Sequence, residues 1–173
     1  MRPVDRPFKT CVRLNEPGHA HALTFSCEGR RALLEPDRAK QLLIEGLSAA
    51  RRKKGFDLWA YVIMPEHVHL LIWPRERPYS ISAILKAIKQ PVSFRAREAG
   101  LTEGVSFWLP GGGFDRNLTN PKAVHAEIEY MHANPVRRGL CVRPTDWGYS
   151  SARFWAGLDG VVLEMDRTLP SLG

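Results

Sequence analysis

The chain has few cysteines, and their spacing forms no zinc-binding or disulfide pattern. Three occur among 173 residues, Cys11, Cys27 and Cys141, and they are odd in number and far apart. No Cys-x-x-Cys pair is present, so we expect neither a zinc ribbon nor a disulfide-linked secreted fold. The cysteine content therefore predicts a cytoplasmic protein.

Long apolar runs are also missing. The opening stretch MRPVDRPFKT lacks the apolar core of a secretory signal peptide. No apolar run approaches the ~20 residues that a membrane-spanning helix needs. The sequence also contains no internal repeat and no long low-complexity tract. We therefore expect no membrane association and a single domain over residues 1–173, with its core at about 15–157 and an irregular C-terminal segment.

Positive charge and apolar residues are plentiful. Hydrophobic residues make up 44% of the chain, which is typical of a globular protein. Lysine and arginine number 25 against 18 acidic residues, so the net charge is +7. This excess favours a polyanionic partner, with nucleic acid first and an anionic membrane surface second. Charge that serves only solubility is the alternative.

Apolar periodicity predicts strands and helices in alternation. Helices are predicted at 36–55, at 80–100 with a kink or a break at Pro91, and from 121 to about 132. Strands are predicted at 21–29, 56–64 and 67–74, with a further strand broken by a glycine loop within 105–120. This order predicts an α+β fold, a ferredoxin-like two-layer sandwich with a mainly antiparallel sheet and its helices on one face.

The segment YVIMPEHVHLLIWP, residues 61–74, places two histidines inside an apolar run. Side chains alternate along a strand, so His67 and His69 point to the same face. Two imidazoles in this arrangement can bind one metal ion. The alternative is an open sheet face on which each histidine is satisfied by water or a neighbour. A metal site would also need a ligand from elsewhere in the chain.

The third predicted helix offers polar side chains beside its apolar stripe. Tyr130 and Asn134 are four residues apart and are therefore neighbours on one flank of that stripe, and Glu127 lies on the same flank. A helix docked by its stripe would present a phenol, an amide oxygen and a carboxylate toward the histidines. Alternatively, Tyr130 packs at a boundary, and Asn134 only ends the helix before Pro135.

Four segments together resemble a known family. MPEHVHLL, FDRNL, EIEYMHANPVRRGL and DWGYSSARFWAG occur in this order over roughly residues 15 to 157. Each segment alone is a weak signal, but the ordered set is specific. In this respect the sequence resembles the REP-associated tyrosine transposases, relatives of the HUH single-tyrosine transposases of bacterial insertion sequences. The resemblance also implies the ferredoxin-like sandwich.

The resemblance implies a mechanism and assigns residues to it. His67 and His69 correspond to the metal-binding pair, Tyr130 to the nucleophile, and Asn134 to the position of a third ligand. The implied cofactor is Mg²⁺ or Mn²⁺. The implied partner is single-stranded DNA with hairpins, cleaved through a tyrosine joined to the 5′ phosphate during DNA transposition. The implied assembly is a monomer or a homodimer, with the tyrosine acting in its own subunit or across two.

Basic residues near these segments are candidates for DNA binding. We expect contacts with a phosphate backbone from five of them: Lys86, Lys89, Arg97, Arg137 and Arg138. For any one of them, a solvated surface charge is the alternative.

Other functions share some of these features. A non-catalytic protein that binds hairpin nucleic acid would keep the fold without turnover, and a relaxase-like nickase would use the same chemistry on another substrate. A small-molecule metallohydrolase would need a third strong ligand, for which Glu127 is the candidate. A covalent protein–DNA adduct would separate the nucleases from the other two.

Overall fold

Strands and helices alternate along the chain in the computed structural model, which describes residues 12–102, 104–111 and 113–171. The strands are β1 (Ala20–Ser26), β2 (Phe56–Ile63), β3 (His67–Pro74) and β4 (Phe114–Leu118). The α-helices are α1 (Asp37–Lys54), α2 (Ile81–Glu98), α3 (Pro121–His132), α4 (Asn134–Arg137) and α5 (Ala152–Trp155). No helix within these ranges is both long and apolar enough to cross a membrane.

The four strands form one sheet in the order β2-β3-β1-β4, and every neighbouring pair is antiparallel. Helices α1 and α2 cover one face and bury a large apolar core against it. This arrangement confirms the predicted α+β fold with an antiparallel sheet. The order of β1, α1, β2, β3, α2 and β4 along the chain is that of a ferredoxin-like sandwich.

Helix α2 runs unbroken through Pro91, so it is not split there. Its apolar residues on both sides of Pro91, including Ile88 and Val92, are buried against the core and hold the helix together. Gly46 of α1 allows the two helices to approach closely, since a Cβ at this position would lie 3.0 Å from Val92 Cγ2.

Helix α3 lies on the opposite face of the sheet from α1 and α2. The prediction that the helices share one face therefore holds for α1 and α2 only. The physical reason is a second apolar patch, which the small and aliphatic side chains of β1, β2 and β3 build on that face and α3 covers. Its buried members include Ala20, Ala22, Val62, Leu71, Val124, Ile128 and Met131.

Strand β4 is shorter than the predicted strand within 105–120, because only Phe114–Leu118 pairs continuously with β1. Gly113 lies just before it with φ of +68°. A Cβ on Gly113 would sit 2.0 Å from the carbonyl oxygen of Thr24, so only glycine fits this close approach. Gly113 thereby fixes the register that places Phe114 opposite Thr24.

The C-terminal segment runs along β2, the outer strand at one side of the sheet. Ser151 N donates to Tyr61 O at 3.0 Å, and Asp166 N donates to Leu58 O at 3.1 Å. The indole nitrogen of Trp147 donates to Ile63 O at 3.0 Å. These bonds satisfy backbone groups that an exposed outer strand would otherwise present to other chains.

Candidate active site

The two histidines of β3 lie on the same face of the sheet as α3. The alternation of side chains along the strand predicts that they share one face. Val68, Leu70 and Ile72 point to the other face and are buried in the core beneath α1 and α2. His69 is 9% exposed, and His67 is partly exposed at the start of the strand. The pair therefore lies at the start of β3, at one end of the sheet.

The two imidazoles converge through their outer nitrogens. His67 Nε2 and His69 Nε2 are 2.9 Å apart, and their rings are nearly perpendicular at 82°. The inner nitrogens have separate partners: His67 Nδ1 lies 3.0 Å from Glu66 Oε1, and His69 Nδ1 lies 2.9 Å from Thr24 Oγ1. Contacts at both Nδ1 atoms orient the rings so that the two Nε2 atoms face each other.

The spacing of these nitrogens fits a hexacoordinate divalent ion. Ligands about 2.1 Å from such an ion, at right angles to each other, are about 3.0 Å apart. The observed 2.9 Å matches that separation. Tetrahedral zinc with ligands at about 2.1 Å would need about 3.4 Å. A direct hydrogen bond between the two rings has the same separation, so the distance fits a shared divalent ion without selecting which one.

Burial keeps both histidines neutral, which is the form that binds metal. Desolvation, together with the smaller effects of His67 and Arg137, lowers the pKa of His69 to about 4. Desolvation also lowers the pKa of His67 from its ordinary value, partly offset by the adjacent Glu66 carboxylate. Near neutral pH each ring therefore offers an uncharged nitrogen.

Glu66 connects the histidine pair to the segment that follows α3. Its Oε1 atom accepts a hydrogen bond from Arg138 Nη1 at 2.6 Å and also lies 3.0 Å from His67 Nδ1. Burial raises the pKa of Glu66, but the hydrogen bonds from Arg138 and His67 and the charge of Arg138 outweigh it, and the net pKa is lowered. A charged carboxylate behind a ligating histidine is a common device for orienting the ring.

Tyr130 lies near the end of α3 and is 54% exposed. The guanidinium carbon of Arg137 is 4.3 Å from the centroid of its ring, and Arg137 Nη2 donates to its carbonyl oxygen at 3.0 Å. Arg137 also acts electrostatically on His69. Two consecutive arginines therefore join the tyrosine to the histidine pair, Arg137 at the phenol ring and Arg138 at Glu66.

A buried polar contact fixes the end of α3 to the sheet. His132 Nε2 lies 2.8 Å from Ser151 Oγ, and that oxygen accepts from Tyr61 N at 3.0 Å. His132 and Ser151 are 8% and 0% exposed. The DWGYSSARFWAG segment thus holds α3 against β2, and this contact determines where Tyr130 stands.

The other predicted ligands are not joined to the histidines. Glu127 forms an ion pair with Arg116 of β4. In the described ranges, no group of three or more His, Cys, Asp or Glu side chains could hold a metal, so Glu127 does not complete the site. Asn134 Nδ2 donates to Tyr130 O at 3.4 Å, which keeps its side chain on the last turn beside the tyrosine.

The five predicted DNA-binding residues fall into two groups on opposite faces. Arg137 and Arg138 adjoin the site, whereas the other three lie on α2. Lys89 is half-buried, with Nζ 5.8 Å and 5.9 Å from the ring centroids of Phe25 and Trp108. The other two, Lys86 and Arg97, are exposed. The structure therefore does not bring all five into one patch.

Several contributing residues were absent from the sequence prediction. Glu66 was not among the predicted site residues, although its position next to His67 was a usable signal. Thr24 and Ser151 gave no signal, because their contacts depend on strand register and on a segment 19 residues beyond His132.

Comparisons with known proteins agree with this fold. The family described as "Transposase IS200 like" matches residues 18–111, more than half of the chain. A REP-associated tyrosine transposase of Escherichia coli (strain K12) is 25% identical over 111 residues. The matched region covers 64% of this chain and 63% of that relative, less than two thirds of the relative's length.

A solved structure is similar over nearly the whole chain. It is that of a REP-associated tyrosine transposase bound to a REP hairpin, with a TM-score of 0.74 and 24% identity. The match covers 96% of this chain and 97% of that one, so the two share the fold. The resemblance inferred from the four segments is confirmed, and the chain belongs to the IS200-like transposase family.

Proposed function

We propose that the chain is a metal-dependent endonuclease and strand transferase for single-stranded DNA, acting beside REP-type hairpins with Tyr130 as the nucleophile. The observation that carries this proposal is the pair of histidine nitrogens 2.9 Å apart, linked through Glu66 and Arg138 to the helix that carries an exposed tyrosine. The hairpin bound to the structurally similar transposase supports the substrate class.

His67 and His69 would hold the divalent ion, with the side-chain oxygen of Asn134 as a third donor. When bound, Mg²⁺ or Mn²⁺ would neutralise a phosphate oxygen and orient the scissile bond. Mg²⁺ prefers oxygen ligands, whereas Mn²⁺ accepts imidazole more readily, so we expect Mn²⁺ to support activity well in vitro.

The cleavage step exchanges one phosphate ester for another. The phenolic oxygen of Tyr130 bonds to phosphorus while the bond from phosphorus to the 3′ oxygen breaks. The phenol loses its proton and the leaving oxygen gains one, so the products are a 5′-phosphotyrosine and a free 3′ hydroxyl. Because the ester bond is conserved, a later 3′ hydroxyl can reverse the step and join strands.

Arg137 and Arg138 prepare the site for an anionic substrate. Arg137 holds the ring of Tyr130 from one side, and its guanidinium is exposed to solvent where a phosphate would approach. Arginine binds phosphate through paired N–H donors, so the same side chain can position the tyrosine and attract the scissile group. Arg138 keeps Glu66 behind His67.

The second group of cations would bind DNA away from the cleavage site. Within the described ranges Lys86, Lys89 and Arg97 make no ion pair with a carboxylate. Cations without such partners are available to phosphates, and their binding weakens steeply with salt. We assign them contacts with the backbone of the hairpin or its flank.

The test is a covalent-adduct assay on a labelled oligonucleotide that carries a hairpin and unpaired flanks. We expect a protein–DNA adduct that withstands denaturing electrophoresis, is lost with EDTA and returns with Mn²⁺. Tyr130→Phe removes the adduct, whereas Tyr149→Phe keeps it, because the Tyr149 side chain packs against the core beneath α1 and α2 and its phenol donates to Asp37. Full cleavage by Tyr130→Phe would refute the nucleophile. Hairpin binding without an adduct in any metal would indicate a non-catalytic binder.

A further inference from the structure

An exposed aromatic side chain stands in the same cross-strand row as the metal pair. Phe114, the first residue of β4, is 58% exposed. It pairs with Thr24 of β1, which pairs with His69 of β3. Directly paired residues of antiparallel strands project to the same face. The 2.9 Å contact between Thr24 Oγ1 and His69 Nδ1 shows that this face is the one with the histidines.

The row places the phenyl ring beside the site of cleavage. Neighbouring strands are about 4.8 Å apart, so the backbone of Phe114 lies about 10 Å from that of His69. Only the small side chain of Thr24 stands between them in this row. A large apolar ring left exposed at this distance is suited to stacking on an unpaired base.

The position of Phe114 is held by its neighbours. Gly113 approaches the Thr24 carbonyl too closely for any other residue, which fixes the start of β4. β4 is also the outer strand of the sheet, so Phe114 lies at the edge between the two faces.

A cationic cleft opens on the other side of this edge. It has a volume of about 310 Å³ and is lined by residues of α2 and of the loop before β4, including Lys86, Lys89 and Gly111. Lys89 Nζ donates to Gly111 O at 3.4 Å, which ties the cleft to that loop. A ring on one side of the edge and cations on the other match the alternation of base and phosphate in a single strand.

We propose that Phe114 is a stacking platform for an unpaired base next to the scissile phosphate, and that the DNA backbone passes from it around the β4 edge into the cleft of Lys86 and Lys89. This inference rests on the proposed function, because it places a base relative to the histidine pair. It names a base-binding subsite and the route of the strand.

The test measures binding by fluorescence anisotropy in EDTA, so that it does not depend on cleavage. Phe114→Ala should weaken binding of a hairpin oligonucleotide with unpaired flanks by about 5- to 150-fold, the usual effect of losing one base–aromatic stack. Phe114→Tyr should bind like the parent chain. Phe114→Leu keeps an apolar side chain of similar size but cannot stack, so it should resemble Phe114→Ala.

Abasic substitutions locate the stacked base. At one unpaired position, removing the base should weaken binding to the parent chain but cause no further loss with Phe114→Ala. Equal binding by Phe114→Leu and the parent chain, or no such position, would overturn the inference. If Tyr130 still forms its adduct in that case, the stacking proposal alone fails. If the parent chain forms no adduct on any hairpin substrate, the proposed function fails instead.

Discussion

Replacing Glu66 tests whether the carboxylate behind His67 controls metal binding. Its side chain is 12% exposed and contacts both His67 Nδ1 and Arg138 Nη1. In Glu66→Gln the shape and one side-chain oxygen are kept, but the charge is lost. His67 therefore keeps only a neutral, weaker acceptor at Nδ1, and Arg138 loses its counter-charge.

The expected loss follows from how such partners act in metal sites. Removing a group that orients a ligating histidine typically lowers metal affinity 10- to 100-fold. Glutamine can still accept one hydrogen bond from His67, so we expect Glu66→Gln to lie near the 10-fold end. Glu66→Ala keeps no acceptor, so we expect it to approach 100-fold.

The assay titrates Mn²⁺ and measures the free ion by electron paramagnetic resonance. It is carried out in the Tyr130→Phe background with a hairpin oligonucleotide bound, so that no cleavage occurs during the titration. Glu98→Gln is the matched control, since Glu98 ends α2 on the other face and is exposed. Unchanged Mn²⁺ affinity in both Glu66 variants would refute the positioning role.

Three further outcomes are expected. Burial lowers the pKa of His132 to about 4, whereas the pKa of an unfolded histidine is about 6.5. Below pH ~6.5 the unfolded chain therefore takes up a proton that the buried ring does not, and the free energy of unfolding falls as the pH decreases toward 4. In urea unfolding, the free energy of unfolding should fall between pH 8 and pH 5 by about 2 kcal/mol less in His132→Gln than in the parent chain. Ser151→Ala should lower the free energy of unfolding by about 1–3 kcal/mol, whereas the partly exposed Ser93→Ala should not. Joint replacement of Lys86 and Lys89 by glutamine should reduce the salt slope of DNA binding by about 2, whereas replacing Lys53 and Lys54 at the end of α1 should leave it unchanged.

Local patterns in the sequence predicted the elements and the pairing of the histidines. Alternation along β3 placed His67 and His69 on one face, and helical spacing placed Tyr130 beside an apolar stripe. Both inferences need only the geometry of a single element, so they hold regardless of how the elements assemble.

Contacts between distant segments were beyond this reasoning. Glu66 meets Arg138 across 72 residues, and Thr24 meets His69 across 45. Such contacts depend on the pairing of β1 with β3 and on the face to which α3 docks, neither of which periodicity determines. The same limit explains why Glu127, correctly placed on the polar flank of α3, turns to Arg116 instead of the metal pair.

The described contacts of the helix that carries Tyr130 are made within one chain, so we expect this tyrosine to act with the histidine pair of its own subunit. The helix that carries Tyr130 buries Val124, Ile128 and Met131 against its own sheet, and fully burying each such side chain is worth about 1.5–3 kcal/mol. Exchanging this helix with a second subunit would have to break that packing and the contact of His132 with Ser151, and then rebuild both in the partner. It would also separate Arg138 from Glu66 of the same chain. An arrangement across two subunits is therefore favourable only if the partner reproduces the packing of α3, the contact of His132 with Ser151 and the contact of Arg138 with Glu66. The short segment after Leu118 would also have to span the distance from one subunit's sheet to the other's.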